Sequence, residues 1–409
     1  MERDFRTKKY RVAVVLSHPI HYLTALCREL AARPEIELTV YFCSDFGLRP
    51  GYDATFGRTV TWYDARMLDG FAYRYLPRWF KKDASPSGFW GVVNPRIVPE
   101  IVRGRYDAVM IHGYTHCTNW LAVIAAKLSG TAVLLRGESN LLQSRPLVVR
   151  AAKRIVLSVL FGMADAFLPI GELNARFYAR YGIGKERLFP APYAVDNAML
   201  QAEHTRLLPA REDIRRSLGV QGDSPVILFV SKLIARKRPM DLLRAYEKLT
   251  ADRMKTREQE NMKAPHLVFV GDGPERASLE QYTQEHKIRG VRFEGFKRPD
   301  ETAPYFAAAD IFAFPSGFET WGLVVNEAMN FGLPVVTTGM VGSSADLVKD
   351  GETGFVCAVT DVNGMTERLK LLAGDAALRR AMGERARARI AEWSNRAAAD
   401  GILQALRSL

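Results

Sequence analysis

Short apolar runs recur along almost the whole chain, and longer stretches with helical spacing separate them. In the first half these runs are Val12–Leu16, Leu38–Phe42, Ala108–Ile111, Ala132–Leu135 and Ala166–Ile170. In the second half they are Val226–Val230, Leu267–Val270, Val291–Phe293, Ile311–Phe314, Pro334–Thr337 and Gly354–Cys357. Uninterrupted apolar runs are typical of strands buried on both faces of a parallel sheet. Their alternation with helices predicts βαβ units, so two series predict two doubly wound α/β domains.

A proline-rich segment separates the two series. Residues 189–196 read Phe-Pro-Ala-Pro-Tyr-Ala-Val-Asp, and the prolines prevent a helix or a central strand from continuing through them. A chain of 409 residues also has the length of two domains. We therefore predict an N-terminal domain over residues 1–195 and a C-terminal domain over residues 196–385. We expect residues 386–409 to form a helix that packs back on the N-terminal domain.

Positive charge is concentrated in the first half of the chain. Of the net charge of +12, residues 1–200 contribute +10, from 27 Lys and Arg against 17 Asp and Glu. This excess suits nucleic acid, anionic lipid or a phosphorylated substrate, or it only keeps the protein in solution. The four cysteines form no CxxC pair, which favours reduced thiols over zinc or disulfides. No apolar stretch resembles a signal peptide or reaches the roughly 20 residues of a membrane span, so we expect a cytoplasmic protein.

The segments that follow the strands of the second half carry the functional signals, because ligands of open α/β sheets bind at the carboxyl ends of strands. Ser231 to Pro239 follows one strand and contains four cations, Lys232, Arg236, Lys237 and Arg238. These cations and a helix N-terminus suit a diphosphate, although a solvated basic turn is the alternative. The glycines at Gly271-Asp272-Gly273 and Glu294-Gly295-Phe296 allow a close approach to a ligand or simply make tight turns.

The stretch from Gly317 to Met329 contains two glutamates, Glu319 in a loop and Glu327 about two helical turns later. We expect the two carboxylates to lie on the order of 10 Å apart. They would accept hydrogen bonds from sugar and ribose hydroxyls, with free helix N–H groups between them for phosphates. The spacing alone is not diagnostic, because Glu29 and Glu37 share it. Its position directly after a strand is what indicates a ligand site.

The ordered segments SKLIARKRP, VGDGP, FEGF, ADIFAFPSGFETWGLVVNEAMNFGLPVVTT and DLVKDGETGFV lie between about residues 225 and 357. Together they resemble the donor domain of glycosyltransferase family 4, retaining enzymes of GT-B fold in which two Rossmann-like domains face an interdomain cleft. The resemblance implies that Glu319 contacts the donor sugar, Glu327 the ribose, and Lys232 and Lys237 the diphosphate. It implies further donor contacts at Ser231, Gly273, Phe296, Phe318, Thr320, Trp321, Gly322 and Leu323. The family usually has Gly-Arg where this chain has Ser231-Lys232, which keeps the charge but loses the bidentate fork of arginine.

The first half resembles the acceptor domain of the same family more loosely. The family has a histidine at the end of a strand near the reacting sugar, a position held here by His112, with His116 as its rival. The segment Ser17-His18-Pro19-Ile20-His21-Tyr22 replaces a glycine-rich loop. It resembles a sub-branch with an N-terminal Ser-His-Pro-Ile motif that acts on surface polysaccharides or secondary metabolites. His18, His21, His116 and Arg136 are candidate acceptor or phosphate contacts. The whole segment Arg136-Gly137-Glu138-Ser139, which follows another strand, is a candidate for sugar or phosphate contact.

The resemblance implies a hexosyltransferase that retains the anomeric configuration and takes a UDP-, GDP- or ADP-sugar as co-substrate, without a further cofactor. The acceptor would be a glycan, a lipid-linked molecule or a small molecule. No DxD motif occurs, so we predict activity that is independent of metal. A nucleotide-sugar epimerase or hydrolase of the same fold is an alternative. A nucleic-acid-binding protein is a second alternative, but it leaves the two glutamates unexplained, so we expect no nucleic-acid partner.

Two stretches of the first half combine cations with large apolar side chains. Phe71–Phe89 interleaves aromatic residues with Arg74, Arg78, Lys81 and Lys82, and Arg145–Phe161 places four cations beside aliphatic residues. Both suit contact with an anionic membrane surface, which would make the protein peripheral at the inner membrane face. The alternative is an amphipathic helix that packs its apolar face on the core, and for the second stretch this alternative is slightly favoured.

Overall fold

The computed structural model describes residues 9–53, 58–79, 88–143, 146–220, 222–253 and 264–409. The chain divides into two compact units. The N-terminal unit comprises Met1–Ala194 and Ser394–Leu409, and the C-terminal unit comprises Val195–Trp393. The segment of the C-terminus that belongs to the first unit thus begins at Ser394, eight residues after the predicted start at residue 386.

The N-terminal unit is built on a parallel sheet whose described strands run in the order β5-β2-β1-β6-β7-β8. The strands are β1 (Tyr10–Leu16), β2 (Ile36–Phe42), β3 (Gly51–Asp53), β4 (Arg58–Val60), β5 (Tyr73–Tyr75), β6 (Ala108–His112), β7 (Ala132–Gly137) and β8 (Ala166–Pro169), with β3 and β4 forming a separate antiparallel pair. The helices are α1 (His21–Ala31), α2 (Ile97–Gly104), α3 (Cys117–Leu128), α4 (Leu147–Met163) and α5 (Glu172–Arg180). The predicted strands are all present, and β5 is an additional edge strand whose exposed side chains give no apolar run.

The C-terminal unit repeats this architecture with the strand order β11-β10-β9-β12-β13-β14, all parallel. The strands are β9 (Val226–Val230), β10 (His266–Val270), β11 (Val291–Phe293), β12 (Ile311–Phe314), β13 (Val335–Thr338) and β14 (Gly354–Cys357). The helices are α6 (Asn197–Leu207), α7 (Arg211–Ser217), α8 (Pro239–Arg253), α9 (Arg276–Glu285), α10 (Ala303–Ala308), α11 (Val324–Asn330), α12 (Ser344–Leu347), α13 (Val362–Gly374) and α14 (Ala376–Glu392). The six predicted strands of this half and its doubly wound topology are confirmed.

The last helix, α15 (Asn395–Arg407), packs within the N-terminal unit against α1 and β8. Its apolar stripe is buried, and Gly401 lies so close to Pro190 that an added Cβ would stand 1.8 Å from the Pro190 carbonyl oxygen. Arg33 of the loop after α1 forms an ion pair of 2.8 Å with Asp400. The sequence at Gly401 therefore permits a contact between a helix and a backbone that any side chain would block.

Among the described helices, none has the length and apolar character needed to cross a membrane. The four cysteines are all described and all free; Cys27, Cys43 and Cys357 are buried and Cys117 is half-buried.

Candidate functional site

The strand order of the C-terminal unit creates a switch point between β9 and β12. From β9 the chain proceeds outward to β10 and β11, and it then returns to β12 on the other side of β9. The connections after β9 and β12 therefore leave the sheet in opposite directions, which opens a crevice at the carboxyl ends of these two strands. The basic turn Ser231–Arg238 and the Glu319 loop both begin there.

Lys237 and Glu319 form an ion pair across this crevice. Lys237 Nζ lies 2.5 Å from Glu319 Oε1, and each side chain is only 12% exposed. Burial lowers the pKa of the Lys237 ammonium group, and the carboxylate of Glu319 opposes that shift. The two residues predicted for diphosphate and sugar are thus brought together, but each is the partner of the other in this structure.

Two further side chains hold the Glu319 carboxylate in place. Ser316 Oγ donates a hydrogen bond of 2.9 Å to Glu319 Oε1. Arg236 Nη1 donates to the Phe318 carbonyl oxygen at 2.8 Å and lies 3.3 Å from the same carboxylate oxygen. The guanidinium of Arg236 is 48% exposed, so it also presents charge to the crevice. Arg236 is one of the four cations that the sequence predicts for a diphosphate. Ser316, which directly precedes Gly317, was not a predicted site residue.

The connection after β13 is a part of this site that the sequence did not indicate. Glu319 N–H donates to the Met340 carbonyl, and Ser343 N–H donates to the Trp321 carbonyl. An added Cβ at Gly342 would stand 2.0 Å from the Thr320 carbonyl oxygen, so the two loops are in backbone contact. The hydroxyl of Ser343 is buried beside this contact without a hydrogen-bond partner. Gly339 and Gly342, placed directly after a strand, are the signal that could have revealed this loop.

The glycines of the β10 connection have a packing role. An added Cβ would stand 1.9 Å from the Ser231 carbonyl oxygen at Gly271 and 2.4 Å from the Leu233 carbonyl oxygen at Gly273. Both residues also have positive φ, of 145° and 152°. Gly273, predicted as a donor contact, therefore serves to hold the basic turn close to its neighbour. The connection after β11 begins at the same carboxyl edge of the sheet. There Glu294 accepts a hydrogen bond of 3.2 Å from the Tyr305 hydroxyl, next to Gly295 and Phe296.

Helix α11 begins later than predicted. Gly322 has a φ of 95°, which makes a left-handed turn before the helix, and the first helical residue is Val324. Glu327 consequently lies in the first turn of α11 and not two turns into it. The ring of Trp321 is buried, and its Nε1 donates to Asn326 Oδ1 at 2.9 Å. The ring of Trp321 is therefore covered by the protein. A ligand could reach the backbone of Trp321, as it could reach the backbone of Gly322 and Leu323. Phe318 and Thr320 are half-buried on either side of Glu319.

A second cluster lies in the N-terminal unit, at the carboxyl ends of β6 and β7. His112, the last residue of β6, has its Nε2 3.5 Å from Glu138 Oε1, and the hydroxyl of Tyr193 donates to the same oxygen. Burial lowers the pKa of His112, and Glu138 partly opposes this shift. Because the carboxylate can only accept, it favours the tautomer protonated at Nε2. His112 Nδ1 then carries a lone pair, and it is buried without a hydrogen-bond partner.

Three predicted histidines belong to this cluster or its edge. Burial, with the charges of His116, Arg78 and His112, lowers the pKa of His18 to about 4, so His18 is neutral near pH 7. His18 Nδ1 lies 3.0 Å from Ser17 Oγ, and His116 Nδ1 lies 3.1 Å from the Gly88 carbonyl oxygen. His21 begins α1 and packs against the rings of Tyr22 and Tyr63.

Arg136 does not have the exposed position expected of a ligand contact. It is 1% exposed, and its Nη2 donates to the carbonyl oxygens of Ala191 and Pro192. Its guanidinium lies 4.9 Å from the centre of the Tyr193 ring, and burial lowers its pKa. The reason is its place within β7, whose side chains are covered on both faces. Glu138, which completes the cluster with Tyr193, belongs to the predicted candidate segment Arg136-Gly137-Glu138-Ser139. Tyr193 was not predicted as a site residue.

Among the described residues, no group of three or more His, Cys, Asp or Glu side chains could hold a metal ion.

Residues 210–389 match the family model described as glycosyl transferases group 1. Among curated proteins, the chain is 30% identical over 196 residues to the lipopolysaccharide core biosynthesis glycosyltransferase LpsE of Rhizobium meliloti (strain 1021). That alignment covers 47% of this chain and 53% of LpsE, so the chain spans about half the length of this curated relative.

Two solved structures extend the comparison to the whole chain. A glycosyltransferase from Rickettsia africae ESF-5 has a TM-score of 0.73 at 13% identity, with 98% of both chains covered. Anabaena HepE in complex with UDP-glucose has a TM-score of 0.65 at 16% identity, with 98% of this chain and 100% of HepE covered. These likenesses establish the fold, and the predicted GT-B architecture of two Rossmann-like domains is confirmed.

Proposed function

We propose that this chain transfers a hexose from a nucleotide-sugar donor to an acceptor hydroxyl with retention of the anomeric configuration. The observation that carries the proposal is the Lys237–Glu319 pair at the switch point of the C-terminal sheet. It lies within the segment that matches the group 1 glycosyl transferases. The UDP-glucose complex of HepE, a protein of similar fold, supports a nucleotide sugar as the donor and makes UDP-glucose the first donor to test.

The paired charges suit both halves of such a donor. A diphosphate that enters beside Lys237, Arg236 and Lys232 would stabilise the ammonium form of Lys237, because an added anion offsets the burial that lowers its pKa. Glu319 can then accept hydrogen bonds from sugar hydroxyls in place of its contacts to Ser316 and Arg236. Glu327, in the first turn of α11, is the proposed ribose contact.

In the proposed reaction the acceptor oxygen bonds to the anomeric carbon while the bond from that carbon to the diphosphate oxygen breaks. The electron pair of the broken bond leaves with the diphosphate, and the acceptor proton passes to the leaving oxygen on the same face of the sugar. The cations of the basic turn stabilise the negative charge that develops on the diphosphate. On the N-terminal unit, the Nδ1 lone pair of His112 is the proposed contact for a substrate hydroxyl.

We further propose a place in the assembly of surface polysaccharide, lipopolysaccharide core or glycolipid, on the cytoplasmic side of the membrane. The likeness to LpsE supports this assignment. Of the remaining candidate functions, an epimerase or hydrolase would convert the donor in the absence of any acceptor. Incubation of the protein with donor alone, followed by chromatography of the products, separates these activities from transfer.

Calorimetry with UDP, GDP, ADP and their sugars tests the donor assignment. We expect one nucleoside diphosphate to bind. Glu327→Ala should weaken the binding of that nucleotide by at least tenfold, about 1.4 kcal/mol.

Glu319→Gln should retain nucleotide binding but lose at least a hundredfold in transfer rate, because it removes an ionised acceptor at the reacting sugar. Glu367→Ala, at an exposed position of α13, is the matched control. Absence of nucleotide binding by the wild type would refute the proposal.

A further inference from the structure

Helix α4 packs against the rest of the N-terminal unit along one narrow face. Of its 17 residues, Leu157, Leu160 and Phe161 are the buried ones. They are spaced three and four residues apart and therefore share one face of the helix. The amphipathic-helix alternative, in which the apolar face packs on the core, accounts for these three residues only.

The opposite face of α4 is also apolar, and it faces outward. Val148, Ile155 and Val159 are 80%, 69% and 58% exposed. Their spacings of seven and four residues place them in one stripe, since each residue turns the helix by about 100°. Ala152 and Gly162 continue the stripe, and Leu147 and Val156 flank it, also exposed. No charged residue falls within the stripe, so α4 presents a continuous aliphatic surface.

The charge around this stripe is of one sign. Arg150 and Arg154 are exposed on α4, and residues 139–164 contain no Asp or Glu. Lys153 turns toward the protein instead, with its Nζ 5.3 Å from the centre of the Phe177 ring. Arg150 lies in the first turn of α4, where the positive end of the helix dipole opposes a cation. A neighbouring anionic phase would offset that cost. Arg145, which belongs to the same predicted stretch, lies outside the described residues.

A second copy of the chain fits this surface less well than a lipid phase does. A helix of 17 residues is about 25 Å long and 10 Å wide, so its outer face covers roughly 250 Å². A stable protein interface needs about 800 Å² from each partner. The outer face of α4 alone is therefore too small for a stable dimer interface.

We propose that α4 lies in the headgroup region of an anionic bilayer, with the stripe Val148-Ile155-Val159 inserted and Arg150 and Arg154 at the phosphates. Arg154 and Arg150 lie about 120° and 160° around the helix from the centre of the stripe. An in-plane helix that inserts a wide apolar face and keeps its cations on the remaining face has the properties such binding needs. The N-terminal half of the chain, with its net charge of +10, adds long-range attraction to the same surface. The inference goes beyond the proposed function and does not depend on it, because it requires neither donor nor acceptor.

Flotation of the purified protein with lipid vesicles tests this proposal. We expect binding to vesicles of phosphatidylcholine with about one third phosphatidylglycerol and much weaker binding to phosphatidylcholine alone. Ile155→Gln with Val159→Gln should reduce binding at least tenfold while leaving the fold intact, because both side chains are exposed. Arg150→Gln with Arg154→Gln should reduce binding to the anionic vesicles by about 30-fold and leave binding to neutral vesicles unchanged.

Met199→Gln with Leu371→Gln is the matched control, since both residues are exposed aliphatic positions of the C-terminal unit. This variant should bind vesicles like the wild type. The proposal is overturned if the wild type does not float with anionic vesicles, or if both α4 variants float unchanged. It is also overturned if light scattering shows a dimer that Ile155→Gln with Val159→Gln converts to a monomer. Calorimetry with UDP on the same samples keeps the donor assignment separate from these outcomes.

Discussion

Glu138 is the residue on which the N-terminal cluster depends. It accepts a hydrogen bond from Tyr193 and faces His112 Nε2 at 3.5 Å, and among the described residues it is the carboxylate that raises the pKa of His112. Arg136, buried beside Tyr193, lowers that pKa, as burial itself does. Glu138 is therefore a positioning residue for His112 in the proposed reaction: it selects the tautomer and supports part of the basicity of the ring.

Glu138→Gln should move the acid limb of the kcat/KM profile to lower pH. Glu138 raises the pKa of His112 against burial, so its loss lets that pKa fall further, and the neutral ring then persists to lower pH. The measurement is transfer rate against pH at low donor concentration. Glu172→Gln, whose carboxylate pairs with exposed Arg176, is the control and should leave the profile unchanged. A uniform loss of rate with an unmoved limb would contradict the positioning role.

At the scale of elements, close backbone contacts decide where helices sit. Gly401 in α15 meets the Pro190 carbonyl, and Gly383 in α14 meets the Gly332 carbonyl, at distances that no Cβ could occupy. Glycine weakens a helix by about 1 kcal/mol relative to alanine. Its presence inside these two helices is thus explained by tertiary contact and not by helix propensity.

Gly401→Ala should destabilise the protein by about 1–3 kcal/mol, since the added methyl group forces α15 away from Pro190. Gly162→Ala is the matched control, because Gly162 is also helical but has no atom within 4 Å of the added Cβ. It should stabilise by up to about 1 kcal/mol. Thermal unfolding measures both changes, and equal shifts of the same sign would contradict the contact argument.

A buried ion pair anchors α7 beneath the C-terminal sheet. Arg215 Nη1 lies 2.9 Å from Asp310 Oδ2, and the same carboxylate oxygen accepts a hydrogen bond of 2.8 Å from Val226 N–H. Arg211 Nη2 contacts the second carboxylate oxygen at 2.8 Å. Arg215 is 1% exposed, and its next carboxylate, Glu212, lies 3.9 Å away and is itself exposed. Removing Asp310 would therefore leave a buried charge that is only weakly compensated.

Asp310→Ala should therefore destabilise the protein by about 3–5 kcal/mol. Asp300→Ala is the control, because Asp300 forms an exposed pair with Arg298 and should change stability by no more than about 0.5 kcal/mol. Urea unfolding followed by tryptophan fluorescence gives both values. Similar urea midpoints for the two variants would contradict the prediction, because they would show that other groups compensate the charge of Arg215.

At the scale of the whole molecule, two units of the same architecture differ in their surfaces. The excess positive charge and the outward apolar stripe of α4 belong to the first half of the chain, whereas the match to group 1 glycosyl transferases covers residues 210–389. In the proposed division of labour, the C-terminal unit binds the donor, and the N-terminal unit contacts the acceptor and the membrane.

Transfer should persist in the presence of EDTA, because lysine and arginine side chains are proposed to neutralise the diphosphate in place of a metal ion. The assay follows donor consumption with and without the chelator, after dialysis against it. Full loss of transfer that Mn²⁺ restores would contradict the prediction.

The sequence alone determined the two doubly wound domains. Strands buried on both faces must be apolar throughout, and such runs can be recognised in the sequence without the structure. It also located the basic turn and the Glu319 loop, since ligand sites of parallel sheets follow the strands. The edge strand β5, which is exposed, and the late start of α11, which depends on the backbone of Gly322, were not visible in that way.

Only the tertiary structure decided which groups meet. The Lys237–Glu319 pair, the β13 connection, and the Glu138–Tyr193–His112 cluster join residues far apart in the chain, and their contacts depend on strand order. Burial likewise depends on the assembled fold: it makes Arg136 a core residue and leaves the apolar stripe of α4 in contact with solvent. Spacing along a chain specifies the faces of an element, whereas only packing specifies which of those faces is covered.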